Sequence, residues 1–207
     1  MTPVLFFESI TIPAPVRAIY KRLGFASGVT NLSPSHRKEI DRDIEEAASL
    51  ILLKGAGARL PLQRIEGARI SVADGLAFES KQLTRFLRNC REIVLMAATA
   101  GTDIINAIEK DIADGNVTHG IVLDATASEM VDASLGWIMD YFKRTLLREN
   151  RKLLKKRYSA GYGDLSLEAQ NTMYSLLRLD KIGIRITESC MLVPEKSVTA
   201  ITGIQEP

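Results

Sequence analysis

The sequence predicts an α+β fold: one domain with an antiparallel β-sheet packed by several helices, one of them long. Three patterns lead there. β-like segments adjoin one another in the first half of the chain and again at its end, and do not alternate regularly with helices, which argues against a doubly wound parallel sheet. A helical pattern runs without a break from about His119 to Lys155. The run Glu92 to Ala98 (EIVLMAA) is continuously apolar and of strand length, as expected for a strand buried on both faces. No internal repeat, low-complexity stretch or linker divides residues 1–207, so one domain is the expectation.

Residues 1–14 are apolar and contain prolines, which predicts a short strand or extended arm. Arg17 to Leu23 fits one or two helical turns, and Gly24 to Asn31 is a Gly/Ser/Asn loop. Ser33 to Lys54 is the best helix of the first half. Ser33 suits the N-cap and Pro34 the first helical position. Ile40, Ile44, Ala47, Ala48 and Ile51 share one face at spacings of three and four, and Gly55 is placed to close the helix. The acidic run Asp41, Asp43, Glu45, Glu46 reads as the solvated side of that helix, with a metal site as the other reading. Arg59–Ile65 and Ala68–Val72 read as short strands joined by a turn at Glu66-Gly67. Glu79 to Cys90 reads as an amphipathic helix anchored by Leu83, Phe86 and Leu87. After the Glu92–Ala98 strand, the segment Thr99-Ala100-Gly101-Thr102 opens a helix ending near Asp114-Gly115.

In the long helix, Met130, Val131, Ser134, Trp137, Ile138, Tyr141 and Phe142 form an apolar face, and Trp137 reads as core. Arg144, Arg148, Arg151 and Lys155 follow at helical spacing as a basic stripe. That stripe is either a solvated face or a docking surface for an acidic partner; phosphate binding ranks third, because few aromatics interleave it. Arg157 to Asp164 is a Gly/Tyr-rich loop. Ser166 can cap a helix to about Arg178. Two strands finish the chain, near Ile184–Leu192 and Ser197–Gly203, connected by Val193-Pro194-Glu195-Lys196.

Composition narrows the function. Of 207 residues, 46% are hydrophobic and 25% charged, which excludes disorder as the main state. The 27 basic and 25 acidic residues leave a net charge of +2, too small to imply a nucleic-acid partner. Cys90 and Cys190 lie far apart in no metal or disulfide pattern, which predicts free thiols in the cytoplasm. His36 and His119 have no Cys or His neighbours in sequence, against a zinc site or a Ser-His-Asp triad. The apolar N-terminus lacks a preceding basic residue, so it makes a poor signal peptide, and no apolar stretch is long enough to span a membrane. There is no P-loop, no dinucleotide fingerprint and no nucleophile elbow.

What remains is RYSAGYG, Arg157 to Gly163. A glycine between side chains lets the backbone approach a ligand closely. Arg157 offers a planar fork for a carboxylate, and Tyr162 a π face for a cation. By itself the segment also fits a plain surface turn.

Read as RxxxGY, this loop is followed by a helix, then Thr187-Glu188-Ser189, then Pro194 and Ser197-Val198. That order and spacing resembles the activation domain of cobalamin-dependent methionine synthase. Glu92 to Ile104 (EIVLMAATAGTDI) and Leu123 to Ala133 (LDATASEMVDA) resemble freestanding members of the family. The resemblance covers roughly residues 20–204 and is strongest over 157–198. It implies an S-adenosylmethionine site in which Arg157 holds the ligand's carboxylate. Ser159 and Ala160 would add backbone contacts, Gly161 would admit the backbone, and Tyr162 would lie near the sulfonium. Glu129 and Asp132, on the preceding helix, fall where the family's helix contacts the pocket.

The resemblance further implies reductive methylation of cob(II)alamin, in which methyl transfer from S-adenosylmethionine draws forward an uphill one-electron reduction. The cobalamin would be held by a partner, a methionine synthase or other corrinoid protein, because residues 1–207 contain no cobalamin-binding region. An electron donor such as flavodoxin or ferredoxin is implied as well. No nucleic acid and no membrane are expected as partners. Two family features lack counterparts. The Asp-Trp near the N-terminus, whose Asp meets the ligand's amino group, is missing from residues 1–25, where Glu8 is the nearest acid. The tyrosine pair beyond the last strand is not found before Pro207. The other reading of the chain is a non-catalytic module that senses S-adenosylmethionine or scaffolds a corrinoid protein.

Overall fold

The architecture follows from one strand. Glu92–Thr99 (β6) has almost no polar atom outside its backbone, and Ile93 through Ala98 are fully buried. A strand with two apolar faces needs cover on both, and the rest of the chain supplies it. The computed structural model describes residues 3–25, 30–72 and 75–206. Five antiparallel strands make the main sheet in the order β1-β2-β6-β10-β7, with β1 Val4–Phe7, β2 Lys54–Pro61, β7 Lys152–Leu153 and β10 Ser197–Gln205. β6 pairs along its length with β2 on one side and β10 on the other. Lys54, Thr99 and Ser197 therefore line up at one end of the sheet, and Pro61, Glu92 and Ile204 at the other.

The period-two alternation of strands sorts the core into two layers. Val94, Met96, Ala98, Ala200 and Ile204 face a layer with Leu135, Ile138 and Phe142 of α5 (Val117–Leu147). Ala56, Ala58, Leu60, Leu95, Ala97 and Ile201 face the opposite layer. There they meet Leu83 and Leu87 of α3 (Lys81–Leu87), Met173 and Leu177 of α6 (Ala169–Leu177), and Ile70 and Phe78 of a small sheet. That small sheet is β3 Arg64–Glu66, β4 Arg69–Ser71 and β5 Ala77–Glu79. The architecture is α+β, as the sequence predicts.

α5 has 31 residues, about 46 Å at the helical rise. Its C-terminal half lies across the sheet. It comes close because β2 presents glycines to it: a Cβ on Gly55 would sit 2.8 Å from Ile138 Cδ1. Gly55 is thus a strand residue, not the helix stop the sequence suggests; α2 (Pro34–Leu50) ends at its C-cap Ile51. The Ser33 hydroxyl accepts the His36 N–H at 3.2 Å, so the expected N-cap forms. The N-terminal half of α5 packs on α2, α1 (Val16–Arg22) and α4 (Asp103–Ala113), with Ile19, Ile44, Val122 and Ala125 in a satellite core. His119 ties these helices together. Its Nδ1 lies 2.7 Å from Asp111 of α4, and its Nε2 faces Asp43 and Glu46 of α2 at 4.0 and 3.6 Å. Asp43 is consequently buried, where the acidic run of α2 reads in sequence as wholly solvated.

Other boundaries depart from the sequence pattern for tertiary reasons. Arg59–Ile65 is split between β2 and β3, which belong to different sheets. The hairpin register places the β3–β4 turn at Gly67-Ala68, one residue later than expected. Glu79 belongs to β5, and α3 starts only after Ser80. Ile184–Leu192 is no single strand: β8 (Arg185–Ile186) and β9 (Leu192–Val193) form a hairpin whose tip is Thr187–Met191. α6 starts after Glu168 rather than at Ser166. The basic stripe is not a helix face. α5 stops at Leu147, Asn150 takes a left-handed φ of 53°, and the chain reverses into β7. Arg151 then bonds Glu92, which also meets Arg59 at 2.7 Å. Part of the expected Gly24–Asn31 loop, 26–29, lies outside the described residues. Among the described residues, no helix is long and apolar enough to cross a membrane.

Candidate functional site

The segment from Lys152 to Tyr158 runs antiparallel to β10. β7 pairs with Ile204 and Gln205, and pairing ends at a bridge between Tyr158 and Ile201. Beyond that bridge the chain leaves the sheet, so Ser197–Ala200 of β10 has no paired strand on that side among the described residues. The RYSAGYG loop sits at this point of departure.

Alternation sends its first two side chains to opposite faces. Tyr158 goes to the α3 side, where its ring lies 6.4 Å from Phe86 and its hydroxyl donates to Gln82 Oε1 at 3.0 Å. Arg157 goes to the α5 side. Its Nη2 donates to Asp132 Oδ1 at 2.5 Å and reaches the Asp132 carbonyl at 3.4 Å. Arg157 is 27% exposed and Asp132 58%.

The rest of the loop is a tight reversal. Tyr162 N–H donates to Ser159 O at 3.3 Å, Gly161 N–H to Leu165 O at 2.9 Å, and Leu165 N–H to Tyr162 O at 3.1 Å. Gly161 (φ 82°) and Gly163 (φ 58°) both occupy the left-handed region. A Cβ on Gly163 would also collide with the Tyr158 hydroxyl and come within 2.6 Å of Gln82 Oε1. Ala160 is buried in the α3-side core, which anchors the loop, while Tyr162 is 71% exposed.

Asp164 fastens the far end. The Ser80 hydroxyl donates to it, as do the backbone N–H groups of Lys81 at 2.8 Å and Gln82 at 3.2 Å. The Ser80 hydrogen bond and these two amides hold its carboxyl below the usual aspartate range. Asp164 and Tyr158 are site-shaping residues that the sequence reading did not single out. Their partners lie about eighty positions upstream, so no local pattern points to them.

The helix opposite the loop offers further carboxylates. Glu129 accepts from Arg22 Nε at 2.6 Å, and Asp124 lies 2.6 Å from Lys196 Nζ. Of the seven residues marked by sequence, Arg157, Ser159, Ala160, Gly161 and Tyr162 form one reversal, and Asp132 meets it directly. Glu129, three residues before Asp132, engages α1 instead. Glu8 lies 3.6 Å from Lys54 at the start of β2. The Thr187-Glu188-Ser189 segment forms the β8–β9 tip. There the Thr187 hydroxyl accepts the Met191 N–H at 3.0 Å, and Thr187 O accepts the Cys190 N–H at 2.9 Å.

No family model and no curated protein matches the sequence. Among solved structures, the crystal structure of the MetH reactivation domain bound to AdoHcy superposes with a TM-score of 0.70. The superposition covers 98% of this chain and 78% of that one, at 15% sequence identity. The chain has the fold of the MetH reactivation domain. The methionine synthase resemblance noted in sequence and the architecture thus agree on the fold. In this chain the fold brings Arg157 of the RYSAGYG reversal against Asp132 of α5, next to the last bridge to β10.

Proposed function

We propose that this chain is a freestanding activation protein. It binds S-adenosylmethionine between the RYSAGYG loop and α5, and supports reductive methylation of cob(II)alamin on a cobalamin-dependent methionine synthase or related corrinoid protein. The observation that carries the reading is the placement of Arg157. On a fold shared with a domain crystallised with AdoHcy, Arg157 sits one residue before the last bridge to β10, and its guanidinium is already bonded to the Asp132 carboxylate of α5.

The residues present suit the ligand. Arg157 has the charge and shape for the α-carboxylate of an amino acid. Among the described residues Ser197 and Val198 have no paired strand on that side and are half-buried, so their backbone can supply polar contacts of the kind that orient ligands. The exposed ring of Tyr162 offers a π face to a sulfonium. When bound, S-adenosylmethionine supplies the methyl group and the partner's cobalt accepts it. This chain contributes binding and orientation, which suffices without a protein acid, base or nucleophile. Holding the methyl in line is worth ~7 kcal/mol or more when alignment is good.

A basic surface runs from the C-terminal end of α5 through β7 toward the loop. Arg144, Arg148, Lys152, Lys155 and Lys156 are exposed, and among the described residues none of them is in an ion pair. Lysines on an edge strand also keep other strands from pairing with it. These charges, of which Lys155 and Lys156 adjoin Arg157 in the chain, further suit steering of an acidic partner, the corrinoid protein or an electron donor such as flavodoxin or ferredoxin.

The test is calorimetric titration of S-adenosylmethionine into wild-type protein and into Arg157→Ala. The variant is expected to lose at least ~1.5 kcal/mol of binding, the scale of a charge-assisted hydrogen bond. Unchanged affinity in a folded variant overturns the site. Spectroscopic conversion of cob(II)alamin to methylcobalamin, with a corrinoid protein and a reductant present, then tests the activity. Binding without conversion would instead identify a sensor or scaffold. Arg148→Glu with Lys155→Glu should slow conversion more at low salt than at high salt.

A further inference from the structure

An open cavity of about 670 Å³ lies between α2 and the first turn of α5, with Leu32, Ile40 and Val122 as apolar walls. His119, which also lines it, precedes Asp132 on α5 by about 20 Å of helix. The cavity is therefore separate from the loop site. Its floor is a buried carboxylate. The Asp43 side chain is 7% exposed, and Arg42 Nη2 donates to its Oδ1 at 3.3 Å. Among the described residues Oδ2 makes no hydrogen bond, yet it is not sealed in protein: the buried side-chain polar atoms without a partner are Thr84 Oγ1 and Arg151 Nε. Oδ2 thus opens onto the cavity that Asp43 lines.

His119 adds a second acceptor. Its Nδ1 donates to the Asp111 carboxylate at 2.7 Å, which leaves Nε2 of the neutral ring with a lone pair. That lone pair faces Asp43 at 4.0 Å and Glu46 at 3.6 Å, acceptors both. A ring nitrogen and two carboxylates converge here, and the donor between them is missing. Of the charged side chains that line the cavity or face His119, Arg42 alone is basic, against Glu39, Asp43, Glu46 and Asp111. The first-turn amides of α5 add only about half a positive charge. Glu39 is exposed, makes no ion pair among the described residues, and lies one turn before Asp43 on the same face of α2.

We propose that this cavity binds a short aliphatic diamine. One ammonium supplies the missing donors to Asp43 and His119 at the floor. The methylenes lie along Leu32, Ile40 and Val122, and the second ammonium meets Glu39 at the rim, about 6 Å along α2. An anion would bring no donor and would face the acidic excess. A metal ion fits less well: among the described residues no group of three His, Cys, Asp or Glu side chains is placed to hold one, and the cavity far exceeds an ion in size. The inference does not depend on the S-adenosylmethionine reading.

The test is calorimetric titration of 1,4-diaminobutane, 1-aminobutane and 1,4-butanediol into the full chain. The diamine should bind saturably, the monoamine about three- to tenfold more weakly, and the diol not at all. Asp43→Asn should weaken the diamine at least tenfold, the scale of a lost charge-assisted contact. Glu39→Gln, an exposed substitution that leaves the floor intact, should reduce the diamine to the affinity of the monoamine and leave the monoamine unchanged. Equal melting temperatures verify the fold of each variant. No saturable binding of the diamine, equal binding of the diol, or full affinity in a folded Glu39→Gln variant overturns the proposal.

Discussion

Replacing Gly163 by alanine tests whether the loop owes its shape to its two anchors. Gly163 has φ 58°, and a methyl there meets the Tyr158 hydroxyl and Gln82 Oε1. The backbone part of the penalty is about 1–2 kcal/mol, the usual handicap of a left-handed L-residue. Relieving the collision means moving the Tyr158 hydroxyl off Gln82, which breaks a 3.0 Å hydrogen bond worth about 1 kcal/mol net. The sum is about 2–3 kcal/mol, which for a chain of this size lowers the melting temperature by roughly 5–10 °C. Urea denaturation of Gly163→Ala gives the first number. Repeating it in a Tyr158→Phe background gives the second. With the hydroxyl gone, Gln82 is released as well, and its exposed side chain can swing away from the methyl at little cost; the substitution should then cost mainly its backbone part, so the cycle should show about 1 kcal/mol of coupling. A loss below about 0.5 kcal/mol, or additive single and double variants, would refute the reasoning. Because Arg157 and Gly163 belong to the same reversal, Gly163→Ala should also weaken S-adenosylhomocysteine binding in protein that is still folded.

Other outcomes follow from the same structure. Trp137 packs edge-on against Phe7 at 5.2 Å and stacks on Tyr141, so Trp137→Ala should lower stability by about 2–3 kcal/mol in denaturant titration, below the range for a fully buried tryptophan. Ser33→Ala removes the α2 cap and should cost about 1 kcal/mol by the same measurement. Burial and the neighbouring Asp41 push the Tyr20 hydroxyl up to about 12. The folded state therefore keeps a proton that the unfolded state loses from about pH 10. Stability should decline between pH 10 and 12, and Tyr20→Phe should flatten that slope in pH-dependent melting. Hydrogen bonding to Arg59 holds the Glu149 carboxyl below its usual range. Its contribution is present above the unfolded carboxylate pKa and is lost as pH falls through the folded one, so Glu149→Gln should flatten the acid limb of the same curve.

Much of the fold was legible because its signals are local. The cap at Ser33 is read from Ser-Pro at a helix start, and it forms. β6 is read from an unbroken apolar run, and it is the middle strand of the sheet. The α5 face is read from period, although its end is not: Leu147 to Lys155 continues a helical spacing of basic residues that the chain abandons at Asn150. The local signal against helix is slight: Asn150, a residue type that tolerates the left-handed region. What wins is the pairing of β7 with β10 and the capture of Arg151 by Glu92, both long-range. Gly55 was misread for a related reason. A glycine after a helical pattern reads as a stop, but this one is needed under Ile138, more than eighty positions away.

The candidate site divides the same way. By itself the sequence marked Arg157 through Tyr162 as a unit, because a glycine beside an arginine and a tyrosine is a pattern within six residues. It also placed Asp132 on the helix before that loop. Only the tertiary structure decided that Asp132 meets Arg157 while Glu129 turns to Arg22, that Asp164 pins the loop to the start of α3, and that β10 is left open beside it. Periodicity fixes which face of a helix a residue occupies. It does not fix which charged group from another element arrives at that face, because that depends on strand order, register and the depth at which α5 settles on the glycines of β2.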